Sequence, residues 1–98
     1  MTIEEFQKRI ESQFLARDKA RGVGGTFLWF VEEVGELATE LRQGADKKAL
    51  ADEFADVFAW LASLASIAGV RLQDAVAKYA QGCPRCGRTP CACKEVKP

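Results

Sequence analysis

The segment from Asp46 to about Gly69 constrains the fold of this chain more than any other part of it. Its leucine, phenylalanine and valine residues recur on one side at helical spacing, and most of the remaining circumference is alanine, serine, Ile67 and Trp60. A helix that is apolar nearly all round has to be buried on nearly all sides. Because a chain of 98 residues has little with which to cover it, we expect a homo-oligomer in which this helix meets its counterpart.

In the rest of the chain that precedes the cysteines, apolar residues also recur at helical spacing and do not alternate with polar residues as they would in a strand. Thr2 and Glu5 fit a capping box at the start of a first helix. The glycines at 22–25 predict a flexible connection to a second helix over 27–43, and a short fourth helix is expected over 72–80. The predicted fold is therefore an all-α four-helix bundle. The second helix should bury a face made of Phe27, Phe30, Val31, Val34, Leu37, Ala38 and Leu41.

Charge divides the chain into two parts. Residues 1–80 hold 10 basic and 13 acidic side chains, whereas residues 81–98 hold 4 basic and 1 acidic side chain together with all four cysteines. We therefore predict a helical domain over 1–80 and a separate cysteine-rich tail over 81–98. The chain has no histidine, which excludes Ser-His-Asp and Cys-His catalysis and histidine-ligated metals.

The hydropathy of the chain gives no sign of a membrane segment. No apolar run approaches the ~20 residues that span a bilayer. The acidic N-terminal residues have no signal-peptide character. We expect a cytoplasmic protein with no membrane partner.

Four glutamates on the predicted second helix lie opposite its apolar face. At about 100° per residue they fall within an arc of about 100°. No lysine or arginine lies on this arc between residues 27 and 41. Each like-charge pair at i,i+4 costs about 0.2–0.5 kcal/mol in an isolated helix, so the arc favours a bound cation. The four residues are Glu32, Glu33, Glu36 and Glu40.

The predicted third helix adds Glu53 and Asp56 beside its apolar face. Carboxylates at the margin of such a face point across to a neighbouring helix, so two acidic pairs can converge on one site. Carboxylates without nitrogen or thiolate ligands suit a hard cation, Mg²⁺ or Mn²⁺. The alternative is two unrelated solvated polar faces.

These acids also carry a family resemblance. Glu32-Glu33-Val34-Gly35-Glu36, followed after sixteen residues by Glu53-Phe54-Ala55-Asp56, resembles the EExxE…ExxD motif of the MazG-like nucleotide pyrophosphohydrolases. These belong to the all-α NTP pyrophosphatase superfamily. The resemblance covers about residues 1–80. It implies a helical dimer or tetramer that hydrolyses nucleoside triphosphates, NTP or dNTP, to monophosphate and pyrophosphate and so cleans the nucleotide pool.

The resemblance implies roles for individual residues as well. Glu32 would orient the attacking water or lie just behind the metal ligands, and Trp60 would stack on the nucleobase. The family usually has a lysine and then an asparagine in the fourth helix that hold the substrate phosphates. Here Lys78 lies one position early, Tyr79 occupies the expected place and the asparagine is missing. The implied Mg²⁺ ligands are Glu33, Glu36, Glu53 and Asp56.

The tail carries a C-x2-C…C-x-C array. Four thiols within eleven residues of a cytosolic protein favour a tetrahedral Zn²⁺ site in a knuckle-like turn, with disulfides or a redox pair as the alternatives. Arg85 and Arg88 beside the knuckle could contact nucleic acid or substrate phosphates, but we favour a tail that only fixes the chain end. The proposed zinc ligands are Cys83, Cys86, Cys91 and Cys93.

Two classes of function therefore remain. The first is the Mg²⁺-dependent hydrolase, which the five motif acids favour. The second is a non-catalytic helical dimer whose zinc knuckle binds a protein or nucleic acid, which the incomplete phosphate site of the fourth helix favours.

Overall fold

A computed structural model describes residues 1–94 and is all-α. It consists of helix α1 (Ile3–Gln43), helix α2 (Lys47–Ile67), a single turn α3 (Leu72–Ala75) and a 3₁₀ turn (Val76–Tyr79). The described residues contain no strand, as predicted. The last four residues of the predicted tail, 95–98, lie outside the described residues.

The predicted first and second helices are the two halves of α1. The break between them is Gly22 alone, which has φ +87° and ψ 170° while the residues on both sides stay helical. Only glycine adopts this backbone conformation without a steric cost. The predicted flexible connection over 22–25 is therefore reduced to one residue. The fourth helix is also shorter than predicted, because only one α-helical turn precedes the 3₁₀ turn.

The helix ends follow from short-range signals. The Glu5 amide donates to Thr2 Oγ1 at 3.0 Å and the Thr2 amide donates to Glu5 Oε1 at 2.8 Å, which completes the capping box. Gly44, with φ +70°, ends α1 in the left-handed conformation. Asp46 then caps α2 by accepting a hydrogen bond from the Ala49 amide at 2.9 Å. The short turn between these caps folds α2 back along α1.

A buried glutamine fixes the N-terminal end of α1 to the C-terminal end of α2. Gln7 is 5% exposed, and its Nε2 donates to Ser66 Oγ at 3.0 Å and to the Val70 carbonyl at 2.9 Å. Its Oε1 accepts from the Leu72 amide at 2.9 Å. Because a shift of one helix along the other would leave these buried groups without partners, the network sets their relative position.

The second half of α1 turns its apolar face away from α2. The apolar residues of this face, here called the outer stripe, follow one another at alternating spacings of four and three residues. Phe27 and Leu41 at the ends of the stripe are 51% and 53% exposed. The prediction that this face is buried is wrong for the single chain, because α2 packs against the acidic side of α1 instead. Phe30 and Leu37, at the edge facing α2, are half-buried. The outer stripe consists of Phe27, Val31, Val34, Ala38 and Leu41.

The single chain buries little apolar surface. The buried apolar residues of the described chain are Ile10, Ala62 and Ala65, while Phe54 on α2 remains 54% exposed. No single helix within residues 1–94 is long and apolar enough to cross a membrane. Helix α2 and the segment Leu72–Tyr79 reach that length and composition only together, with a bend of 98° between them.

Candidate functional site

Carboxylates from two helices meet where the second half of α1 packs against α2. One carboxylate oxygen each from Glu33, Glu53 and Asp56 lie within 4.8 Å of one another. Glu33 comes from α1, and the other two lie one turn apart on α2. The motif spacing on α2 places both acids on the side that faces α1. The fold therefore brings one acid of α1 to the predicted acidic pair of α2.

The remaining motif acids border this cluster. Glu36, one turn after Glu33 on α1, lies close enough for its carboxyl group to raise the pKa of Glu33. Glu32 is exposed and lines an open groove with Glu36, Glu40 and Glu53. The structure thus brings three acids together, places Glu36 beside them in the groove and leaves Glu32 at the rim.

The cluster is electrostatically unfavourable as it stands. Burial raises the pKa of Glu33, and repulsion from Glu36 raises it further. Burial and the charges of Glu36 and Asp56 likewise raise the pKa of Glu53. Within residues 1–94 no lysine or arginine forms an ion pair with these acids.

Two oxygens of the cluster are buried without a hydrogen-bond donor in the described chain: Glu33 Oε2 and Glu53 Oε2. A buried carboxylate oxygen with no donor costs free energy unless a cation takes the donor's place. The acidic cluster is therefore compatible with a bound divalent metal, whose preferred ligands are carboxylate oxygens.

A cavity of about 250 Å³ adjoins the cluster at Asp56. Trp60, one turn further along α2, forms one side of it, and the first half of α1 forms the other through Phe14, Arg17 and Arg21. The Trp60 ring stacks on Trp29 with a centroid distance of 6.2 Å, and the Arg21 guanidinium carbon lies 5.1 Å from the Trp60 centroid. Trp60 therefore lies beside the acids, with Trp29 packed against it.

The sequence model of the MazG nucleotide pyrophosphohydrolase domain matches residues 24–86. The match covers 63 of the 98 residues and includes both halves of the acidic motif. The chain belongs to this family. The predicted family is confirmed, and the membership indicates a nucleotide pyrophosphohydrolase. No curated protein matches the chain in a sequence comparison.

The matched region of this MazG domain begins just after the break at Gly22, so it omits the first half of α1. Its end at Cys86 lies beyond the predicted domain boundary at residue 80 and includes two of the four cysteines. The first half of α1 nevertheless supplies one wall of the Trp60 cavity.

An ion pair in that wall was not predicted from the sequence. Arg21 Nη1 donates to Asp18 Oδ1 at 3.0 Å and to Thr26 Oγ1 at 3.3 Å, and Asp18 is only 3% exposed. A Cβ at Gly25 would lie 2.7 Å from Arg21 Cγ, so the glycine makes room for the arginine. The features of the sequence that could have predicted this ion pair are the i,i+3 spacing of Asp18 and Arg21 and the glycine cluster that follows them.

Lys78 of the MazG domain contacts the ring of the next residue, Tyr79. It is exposed on the 3₁₀ turn, and its Nζ is 5.2 Å from the Tyr79 ring centroid. It lines neither the Trp60 cavity nor the acidic groove. Its role as a phosphate ligand stays a prediction.

The four cysteines form a second cluster after the 3₁₀ turn. All are free thiols, and one Sγ from each lies within 4.8 Å of the others. The backbone amides of Cys86 and Arg85 lower the pKa of the Cys83 thiol to about 6. Hydrogen bonds with Cys91 and Cys86 raise the pKa of Cys93 to about 12. The arrangement is compatible with metal binding.

Proposed function

We propose that the protein hydrolyses nucleoside triphosphates, NTP or dNTP, to the monophosphate and pyrophosphate, with Mg²⁺ at the acidic cluster and Mn²⁺ as a substitute. The observation that carries this proposal is the pair of buried oxygens, Glu33 Oε2 and Glu53 Oε2, that no described donor satisfies. They lie within the region that matches a nucleotide pyrophosphohydrolase family. The proposed metal ligands are Glu33, Glu36, Glu53 and Asp56.

A bound divalent ion would neutralise the negative charge of the triphosphate and lower the pKa of a coordinated water. The remaining steps, which position and deprotonate the attacking water, are assigned to residues of the chain. Glu32, exposed at the rim of the groove, is assigned to hold the attacking water and accept its proton. The water oxygen then forms a bond to the α-phosphorus, and the bond from that phosphorus to the bridging oxygen breaks to release pyrophosphate.

The cavity beside Trp60 is the proposed site of the nucleobase. It opens next to Asp56, so a nucleotide whose phosphates contact the acidic cluster can reach it. The indole offers an apolar surface, and base–aromatic stacking contributes about 1–3 kcal/mol in proteins that bind single-stranded nucleic acids. Arg21, held by Asp18 and Thr26, cannot swing away from the cavity without breaking both hydrogen bonds. Lys78 remains the proposed phosphate contact.

The second copy of the chain is proposed to cover the outer stripe. A stripe with spacings of four and three matches the seam of packed helices, and a face this apolar is unfavourable in water. The exposed Phe54, Phe58 and Leu61 of α2 have the same spacing. A self-complementary dimer would bury both sets at once, and two dimers could combine into a tetramer.

Assay of the purified protein against the canonical NTPs and dNTPs with Mg²⁺, detecting pyrophosphate, tests the proposed reaction. We expect pyrophosphate and nucleoside monophosphate in equal amounts. Release of orthophosphate would place the cleavage between the β- and γ-phosphates and reject the mechanism. No turnover of any nucleotide, with Mg²⁺ or Mn²⁺, would favour the non-catalytic helical dimer instead.

The acidic cluster should also make the stability of the metal-free protein depend on pH. The pKa values of Glu33 and Glu53 are raised in the folded protein above the ordinary value of 4.5. Protonation of these groups therefore stabilises the fold, and this stabilisation is lost as the pH rises through their folded pKa values. We expect the melting temperature of metal-free protein to fall between about pH 4.5 and pH 7 more steeply in the wild type than in Glu33→Gln.

Mg²⁺ should reverse this loss. At 100 times its dissociation constant, a ligand of the folded state adds about 2.7 kcal/mol to the free energy of unfolding. Because protons compete with the metal, the rise in melting temperature on Mg²⁺ addition should be larger at pH 7 than at pH 5. Calorimetry of both proteins with and without Mg²⁺ makes the comparison. An equal pH slope in the wild type and Glu33→Gln would contradict the raised pKa.

A further inference from the structure

The cysteine cluster is the second group of potential metal ligands in residues 1–94, and the proposed hydrolysis makes no use of it. Zinc bound by four thiolates has Zn–S distances of about 2.3 Å, which places the sulfurs of a tetrahedral site about 3.8 Å apart. Cys83 Sγ and Cys93 Sγ are 3.9 Å apart, and all four sulfurs lie within 4.8 Å of one another. The cluster therefore has the dimensions of a site for one metal ion.

The backbone around the first two cysteines holds their side chains on the same side. The Gly87 amide donates to the Cys83 carbonyl at 2.7 Å, and the Cys83 amide donates to the Arg88 carbonyl at 3.0 Å. Gly87 has φ +74°, a conformation that glycine adopts readily. This tight turn between residues 83 and 88 sets the spacing of Cys83 and Cys86.

Backbone amides also point at the sulfurs. Arg85 N lies 3.4 Å from Cys83 Sγ, and Ala92 N lies 3.4 Å from Cys86 Sγ. The Cys93 amide lies 3.3 Å from Cys91 Sγ. Amide donors of this kind offset the negative charge of thiolates that bind a metal and orient them as ligands.

Hydrophobic burial cannot account for the order of this segment. Every residue from 84 to 92 is exposed, and Cys83 and Cys93 at its ends are only half-buried. Apart from the cysteines, the apolar residues of the segment are two prolines and Ala92. Such short segments gain their folding free energy from a bound metal.

We propose that Cys83, Cys86, Cys91 and Cys93 bind one Zn²⁺ in a closed structural site. Four protein thiolates leave no open coordination position, which is the arrangement of structural rather than catalytic zinc. The ion holds the cysteine segment, residues 82–93, against Tyr79 at the end of the 3₁₀ turn, where both line one cavity. The proposal does not depend on nucleotide hydrolysis.

Metal analysis of protein purified under reducing conditions tests it. We expect about one zinc per chain that survives dialysis, and visible ligand-field bands of tetrahedral thiolate-bound cobalt after exchange with Co²⁺. Cys86→Ser should lose the zinc and the cobalt bands, whereas the control Lys94→Gln, beside Cys93, should keep both. Iron in place of zinc, two disulfides, or metal-free protein with four freely reactive thiols would each overturn the assignment.

The structural effect of the metal has its own readout. Removal of zinc by a strong chelator should free the backbone at Arg85 and Arg88 to fit the active site of trypsin and be cleaved, while the far-ultraviolet circular dichroism of α1 and α2 stays unchanged. Re-addition of zinc should restore protection in the wild type and fail to do so in Cys86→Ser. Equal cleavage at these arginines with and without zinc would refute a role of the ion in holding the segment.

Discussion

Glu53→Gln is expected to abolish nucleotide hydrolysis and at the same time to raise the melting temperature of the metal-free protein. The glutamine keeps the size of the side chain but removes a charge that lies close to Glu33 and Asp56. Loss of one metal ligand should reduce kcat/KM by roughly a thousandfold, because metal coordination contributes several kcal/mol to stabilisation of the transition state. The stability should rise because Glu53 is partly desolvated and repelled by its neighbours.

Damage to the fold would lower both activity and stability, whereas this variant is expected to lose activity and gain stability. Most substitutions in a packed region lower stability, so a more stable and inactive variant points to a charge cluster maintained for function. Asp52→Asn is the matched control, because it makes the same chemical change one residue away, outside the three-residue cluster. It should retain turnover and Mg²⁺-induced stabilisation.

Pyrophosphate release and calorimetry measure both effects. Turnover by Glu53→Gln within tenfold of the wild type would remove this residue from the metal ligands. A large fall in its metal-free melting temperature would show that the carboxylate stabilises the fold, and the repulsion argument would then be wrong.

The acidic cluster could be predicted because it rests on short-range geometry. An i,i+3 spacing fixes the relative direction of Glu53 and Asp56 as soon as α2 forms, and the caps at Thr2 and Asp46 fix where the helices begin. Together with the glutamates of α1, this spacing forms the motif that carries the family resemblance. Helical spacing also identified the apolar residues of the outer stripe.

The partner of each helix face could not be predicted in this way. Periodicity shows that a stripe is apolar, but it does not show which element covers it. The chain packs the acidic side of α1 against α2, which brings Glu33 to Glu53 and leaves Val31 and Val34 exposed. The pair formed by Asp18 and Arg21 depends likewise on the bend at Gly22, whose size is a property of the folded backbone.

The two faces of α1 are therefore connected in their energetics. A helix that turns its carboxylates inward gives up the apolar contacts that would otherwise stabilise a single chain. Two outside contributions can compensate: a divalent cation for the acidic side and a second chain for the outer stripe. The thin core of three buried apolar residues in the described chain agrees with this division.

Val31→Glu is accordingly expected to dissociate the oligomer or unfold the chain. Val31 lies in the outer stripe and is 48% exposed in the single chain. An unpaired charge buried in an interface costs on the order of 3–5 kcal/mol, and a two-fold interface carries the substitution twice. The dissociation constant should therefore rise at least about a thousandfold, as measured by analytical ultracentrifugation over a range of concentrations.

Leu28→Glu provides the control. Leu28 is an apolar residue of the same helix segment and is 70% exposed, but it lies about 100° round the helix from Phe27 and so outside the outer stripe. It introduces the same charge in place of an aliphatic side chain of the same helix segment. We expect this variant to sediment like the wild type and to keep its melting temperature within a few degrees.

A wild-type protein that sediments as a compact 10.8 kDa monomer at all concentrations would contradict this prediction. The outer stripe would then be exposed in solution, and the self-association inferred from α2 would be wrong. Equal dissociation by Val31→Glu and Leu28→Glu would place the interface on a broader surface than the stripe. Dissociation by Val31→Glu alone would support a second chain on this face, because both variants place a glutamate in the same helix segment but on different sides of α1.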